Sequence, residues 1–223
     1  MPDHVSAVAA VIFDLDGVLI DSEPVWEEVR RAVVAEHGGS WQPDTQRRLM
    51  GMSTPEWAGY LSRELGVDMS PPEVAETVIS GMAARFGDRP PLMPGAVEAV
   101  RRLAPRWPLG LASSSPRRLI GLTLERADLA HLFAASVSTE EVERGKPAPD
   151  VYLEVARRLG KDPGDCAAIE DSSNGLRSAA GAGLLVVAVP HPRYPPDPDA
   201  LAGAGAVLSD LSGLTPELVQ GRR

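Results

Sequence analysis

Apolar residues run almost without a break through 7–13, "AVAAVIF", and the run stops at Asp14. Similar runs recur at 108–113 ("PLGLAS"), 133–138 ("FAASVS"), 166–170 ("CAAIE") and 184–189 ("LLVVAV"). Short continuous runs, as opposed to alternating ones, mark strands buried on both faces. Between most of them the apolar spacing turns helical, over 95–104, 116–127, 149–159 and 173–182. Strands that alternate with helices predict an α/β doubly wound parallel sheet, a Rossmann-like core.

The stretch from about 22 to 90 breaks that rhythm. No strand pattern stands out, and Trp26, Val29, Val33 and Val34 fall at helical spacing. Further helical pieces fit 43–50, 55–65 and 71–86, the last opening on Pro-Pro-Glu. The pattern predicts a core built from 1–20 and 91–223, interrupted by a small helical module at 21–90. Prolines at 190, 192, 195, 196 and 198 predict an irregular loop.

Composition narrows the picture. With 223 residues the chain is long enough for a substantial core, and 43% hydrophobic with 24% charged residues is ordinary for a globular protein. A formal charge of −9 argues against a nucleic-acid partner, and an acidic protein that handles anions needs a local cation. One cysteine, Cys166, rules out an internal disulfide and a cysteine-rich zinc site; inside "CAAIE" it reads as a small core residue. The start, "MPDHVSAVAA", carries neither a signal-peptide pattern nor a membrane span, so a cytoplasmic protein without a membrane partner is expected. Nothing calls for a partner chain, and a monomer is the expectation.

The ends of the apolar runs carry the chemistry. The first ends in Asp14, with Asp16 just beyond; the second ends at Ser113, followed by Ser114 and Ser115. "RGKPAPD" offers Lys146 in a loop before a helix, and the fourth run ends in Glu170-Asp171 before "SSNG" and another helix. Ligands of open α/β sheets bind beyond the carboxyl ends of the strands, so these groups should share one rim. Each alone has a plain explanation, such as a turn, a helix cap or a solvated lysine. Together they make a phosphoryl-transfer site. Asp14, Asp171 and Glu170 supply hard oxygens for Mg²⁺, while Lys146, the Ser113 hydroxyl and backbone N–H groups after Asp14 suit phosphoryl oxygens. Asp14 can attack phosphorus, and Asp16 can protonate the leaving alcohol and later deprotonate water.

"DLDGVLIDS", the strand ending in Ser113, "GKPAPD" and "IEDSSNG" resemble, in order, the four motifs of the haloacid dehalogenase-like hydrolase superfamily. The inserted module is similar to that family's small helical cap. "DSEP" followed by Trp26 resembles the branch with sugar-phosphate phosphatases and β-phosphoglucomutase. The resemblance implies Asp14 as nucleophile, Asp16 as acid/base, Ser113 and Lys146 as phosphate ligands, and Asp14, Asp171 and the Asp16 carbonyl on Mg²⁺, with Glu170 on the ion or one step behind it. It also implies substrate contacts from Leu15 and Ser114, and from Trp26, Glu23 and the loop "LMGMST" with Gly51, Met52 and Ser53. The expected function is hydrolysis of a small phosphorylated metabolite, a sugar or polyol phosphate. A mutase is the alternative, weakened because such mutases carry histidine at the place of Trp26 and arginine at that of Thr54. A dehalogenase is excluded by Asp16, which that chemistry dispenses with. A phospho-receiver module, from outside the enzyme class, would put its phosphoacceptor on a middle strand and carry no helical insert.

Overall fold

The computed structural model describes residues 8–49, 52–87 and 89–220. The chain order is β1 (Ala10–Phe13), α1 (Glu23–Glu36), α2 (Thr45–Leu49), α3 (Thr54–Arg63), α4 (Pro71–Phe86), α5 (Ala96–Leu103) and β2 (Leu109–Ser113). It continues through α6 (Arg117–Arg126), β3 (Phe133–Ser138), α7 (Asp150–Leu159), β4 (Cys166–Glu170), α8 (Ser173–Gly181), β5 (Leu185–Ala188), α9 (Pro198–Ala202), β6 (Ala206–Val207) and α10 (Pro216–Gln220). Two compact units emerge: Met1–Asp21 with Pro91–Arg223, and Ser22–Pro90.

In the first unit six strands form one parallel sheet in the order β3-β2-β1-β4-β5-β6. The apolar runs become buried strands as expected; β1, β2 and β4 are buried at every position. Helices cover the sheet, with Val151, Tyr152, Val155 and Ala156 of α7 and Leu176 and Ala179 of α8 packed into the cluster that includes Ala10, Ile12 and Ala168. Cys166 is a buried member of that cluster, and burial pushes its thiol up to about 11, a structural cysteine and not a reactive one.

The order of strands decides where chemistry can sit. From β1 the chain winds outward through β2 and β3, then returns to place β4 on the other side of β1. Neighbouring crossovers therefore diverge between β1 and β4, and a crevice opens at that switch point beyond the strand ends. Asp14 directly follows β1, its N–H donating to Ile169 O at 3.0 Å, and Glu170 closes β4. Both flank the switch point.

One sequence expectation needs correcting, and one strand left no signal to read. The proline-rich stretch is irregular only until Pro198, where α9 starts with that proline in its first turn, a position that needs no N–H. Strand β6 is two residues long, too short to leave a pattern in the sequence.

The second unit is all helical among its described residues. Two starts are capped alike: Glu56 accepts the Ser53 N–H and hydroxyl at 2.7 and 2.6 Å, and Glu73 those of Ser70 at 2.9 and 2.6 Å. Val29 and Val33 of α1, Trp57 and Leu61 of α3, and Val74, Val78 and Met82 of α4 are buried.

Candidate active site

Five elements deliver the site of the first unit: the ends of β1, β2 and β4, the loop before α7, and α7 itself. Lys146 is its centre. Its ammonium lies 2.7 Å from Asp14 Oδ1 and 2.5 Å from Glu170 Oε1, and its side chain is 5% exposed. Its pKa lies above the usual lysine value: burial works against the charge, but Asp14 and Glu170 outweigh it. The Tyr152 ring lies 5.1 Å from the ammonium.

Glu170 is fully engaged. Its Oε1 accepts Lys146 and the Tyr152 hydroxyl (3.1 Å); its Oε2 accepts the backbone N–H groups of Asp171 and Ser172 at 2.9 and 3.1 Å and the Ser172 hydroxyl at 3.2 Å. Asp171 differs. Its Oδ1 is buried and has no hydrogen-bond partner among the described residues. A buried carboxylate oxygen left so is costly unless something binds it.

Two glycines make room for these carboxylates. Gly17 has φ +80°, which favours glycine, and a Cβ there would also collide with the Asp171 carboxylate. At Gly175 a Cβ would run into the Glu170 carboxylate. These are the glycines of "DLDG" and "SSNG", so each motif supplies both an acidic group and the space for one.

Electrostatics set the charge state of this cluster. Burial pushes the Asp14 carboxyl up to about 8, with Glu170 and Asp16 adding to the rise and Lys146 opposing it. Burial, then Glu170 and Asp14, raise Asp171 well above the carboxylate range. Three buried carboxylates thus face one ammonium. Asp14, Glu170 and Asp171 each offer an oxygen, all within 4.8 Å of one another. Hard, closely spaced oxygens with excess negative charge and an unpartnered oxygen on Asp171 fit Mg²⁺.

Asp16 lies at the rim, half-buried. Its Oδ2 accepts the Ser115 hydroxyl at 2.7 Å and the Ser113 hydroxyl at 3.3 Å. Of the sequence candidates, Asp14, Asp16, Ser113, Lys146, Glu170 and Asp171 are brought together. Leu15 is wholly buried, its carbonyl accepting from Leu19 and Ile20, and Ser114 is exposed. Glu23, Trp26, Met52 and Ser53 belong to the helical unit. There Glu23 accepts from Gln46 at 2.7 Å, Trp26 packs against Trp57 at 5.9 Å with Arg30 over its ring, and Ser53 is occupied as the α3 cap. Gly51 lies outside the described residues.

Sequence reasoning missed Tyr152 and Ser115. Tyr152 sits on the apolar stripe of α7 with Val151, Val155 and Ala156, and a phenol on a core stripe needs a buried acceptor. Ser115 was visible only as the third of three serines.

Residues 8–183 match the haloacid dehalogenase-like hydrolase family. The chain is 37% identical over 214 residues to hexitol phosphatase B of Escherichia coli O157:H7, covering 93% of this chain and 95% of that one. It is 36% identical over 200 residues to a phosphorylated carbohydrates phosphatase of Thermotoga maritima, covering 89% and 92%. The fold superposes on the crystal structure of β-phosphoglucomutase from Clostridium difficile with a TM-score of 0.80 at 21% identity, over 96% of each chain. With its parallel sheet, its acidic cluster at the switch point and these relatives, the chain is an enzyme that belongs to the haloacid dehalogenase-like hydrolases.

Proposed function

We propose that this enzyme is a Mg²⁺-dependent phosphatase that hydrolyses a small phosphomonoester, a sugar or polyol phosphate, through an aspartyl-phosphate on Asp14. The observation that carries the reading is the buried Asp14–Lys146–Glu170–Asp171 cluster with Asp16 beside it, at the switch point of the sheet. Asp14, Asp171 and the Asp16 carbonyl would hold Mg²⁺. Glu170, with both oxygens already accepting, is read as orienting Lys146 from behind the ion. When bound, the ion supplies charge neutralisation to the carboxylates and the phosphoryl oxygens.

The chain's own residues do the rest. Lys146 holds the Asp14 carboxylate and fixes its plane for attack on phosphorus. The Ser113 hydroxyl, at the end of β2, is read as donating to a phosphoryl oxygen. Asp16 gives a proton to the departing alcohol and takes one from the water that later cleaves the aspartyl-phosphate. The helical unit is proposed as the cap that reads the substrate, through Glu23, Trp26, Gly51, Met52 and Ser53. Sugar phosphates as the substrate class are supported by the relatives named above.

The test is phosphate release from a panel of sugar, polyol and alkyl phosphates, in Mg²⁺ and in excess chelator. Release from sugar or polyol phosphates in Mg²⁺ alone is expected. No release from any member, or undiminished release in chelator, contradicts the reading. A parallel ³¹P NMR run on β-glucose 1-phosphate primed with glucose 1,6-bisphosphate should give inorganic phosphate and little glucose 6-phosphate.

A further inference from the structure

The serine after Ser114 has no part in the chemistry described so far, yet it makes the shorter of the two serine bonds to Asp16. Ser115 Oγ donates to Asp16 Oδ2 at 2.7 Å, against 3.3 Å for Ser113. Ser115 is 4% exposed, and its backbone is tied on both sides. Its N–H donates to Ser113 Oγ at 2.9 Å, and its carbonyl accepts the Ser138 hydroxyl at 2.7 Å. The end of β2 and the end of β3 thus fix one hydroxyl against one carboxyl oxygen.

A serine hydroxyl has one proton to donate. When Ser113 gives its proton to a phosphoryl oxygen, its long bond to Asp16 lapses, while the Ser115 bond persists. We propose that Ser115 is a positioning residue: it holds the Asp16 carboxyl by Oδ2 and so fixes the direction from which the acid's proton reaches the leaving oxygen. The inference rests on the phosphatase reading above.

The step it serves balances as follows. An Asp14 oxygen bonds to phosphorus while the bond from phosphorus to the alkyl oxygen breaks. The departing oxygen keeps the bonding pair and takes the Asp16 proton, leaving a neutral alcohol and an Asp16 carboxylate. Water then attacks phosphorus, passing a proton to Asp16 as the bond to Asp14 breaks and inorganic phosphate forms.

Leaving groups separate this role from a structural one. An alkyl alkoxide needs the proton; p-nitrophenolate departs without it. The quantity to compare is kcat/KM, which runs only through the first irreversible step, here formation of the aspartyl-phosphate. The experiment measures it in Mg²⁺ for wild type, Ser115→Ala and Ser115→Thr. The two substrates are p-nitrophenyl phosphate and whichever alkyl phosphate of the panel the wild type turns over best.

Ser115→Ala should lose about tenfold or more on the alkyl phosphate and stay within about twofold on p-nitrophenyl phosphate, with Thr restoring the loss. Equal losses on both substrates, or no loss on either, would overturn the proposal. If the alanine variant does not fold, Ser115→Cys, of similar shape but a weaker donor, faces the same criterion. A wild type inactive on both substrates would instead overturn the phosphatase reading itself.

Discussion

Glu170 shows how much one side chain can hold in place. It receives the Lys146 ammonium, the Tyr152 hydroxyl, two backbone N–H groups and the Ser172 hydroxyl, with no exposed surface. Removing it leaves these donors facing a void, and a broken buried ion pair costs on the order of 3–5 kcal/mol. Glu170→Ala should therefore lower the urea midpoint strongly, or prevent folding. Glu170→Gln keeps the volume and one acceptor, and should lose less. Equal midpoints for wild type and the alanine variant would mean the network contributes nothing to stability. Asp171, one residue on, has the opposite character: its Oδ1 is buried and has no hydrogen-bond partner among the described residues, which is why the proposed function gives it to the metal.

At the scale of elements, the turn after β1 and the start of α8 each exchange a side chain for space. Gly17→Ala meets both a positive φ and the Asp171 carboxylate. We expect it to cost about 1 kcal/mol or more from the backbone alone, and to weaken Mg²⁺ binding by displacing Asp171. Isothermal titration with Mg²⁺ would check this; unchanged affinity in a folded variant would refute it. How far such details were legible in the sequence depended on the element. β3, β4 and α4 begin and end where the apolar pattern places them, because a strand buried on both faces or a proline-led, glutamate-capped helix is a strong local signal. β6 was not legible, since its two residues pair with β5 only through tertiary structure. That Asp14, Asp16, Ser113, Lys146, Glu170 and Asp171 would lie close together was legible because the sheet turns their scattered positions into one rim. Tyr152 and Ser115 were not: their places in the cluster rest on which atom each hydroxyl meets across the fold, and spacing carries no record of that.

For the whole molecule the buried acid cluster links stability to pH and, on the proposed function, to Mg²⁺. Below about pH 4 the Asp14 carboxyl is protonated both folded and unfolded and costs nothing. Between 3.8 and about 8 the unfolded chain gives up that proton and the folded chain keeps it, so stability falls as pH rises through this window. Asp171, also raised, adds in the same direction. Lys146, raised from 10.5, stabilises at all lower pH and loses that contribution only above it. In chelator, Tm should therefore decline from pH 5 to pH 8, and Mg²⁺ should raise Tm more at pH 8 than at pH 5. Asp14→Asn should flatten the decline; an equal slope in the variant would show that Asp14 is not its source. The central claim, phosphoryl transfer to Asp14 followed by hydrolysis with Asp16 as base, meets its most direct test in the Asp16→Asn variant. Given p-nitrophenyl phosphate and Mg²⁺, that variant needs no acid to become phosphorylated but lacks the base to release the phosphoryl group. It should produce one equivalent of p-nitrophenolate per chain, then stall with a phosphoryl group that mass spectrometry maps to Asp14, provided that deamidation of the new asparagine is excluded. A stall without a phosphoprotein, a label on another residue, or the same burst when Asp14→Asn is added would contradict the account.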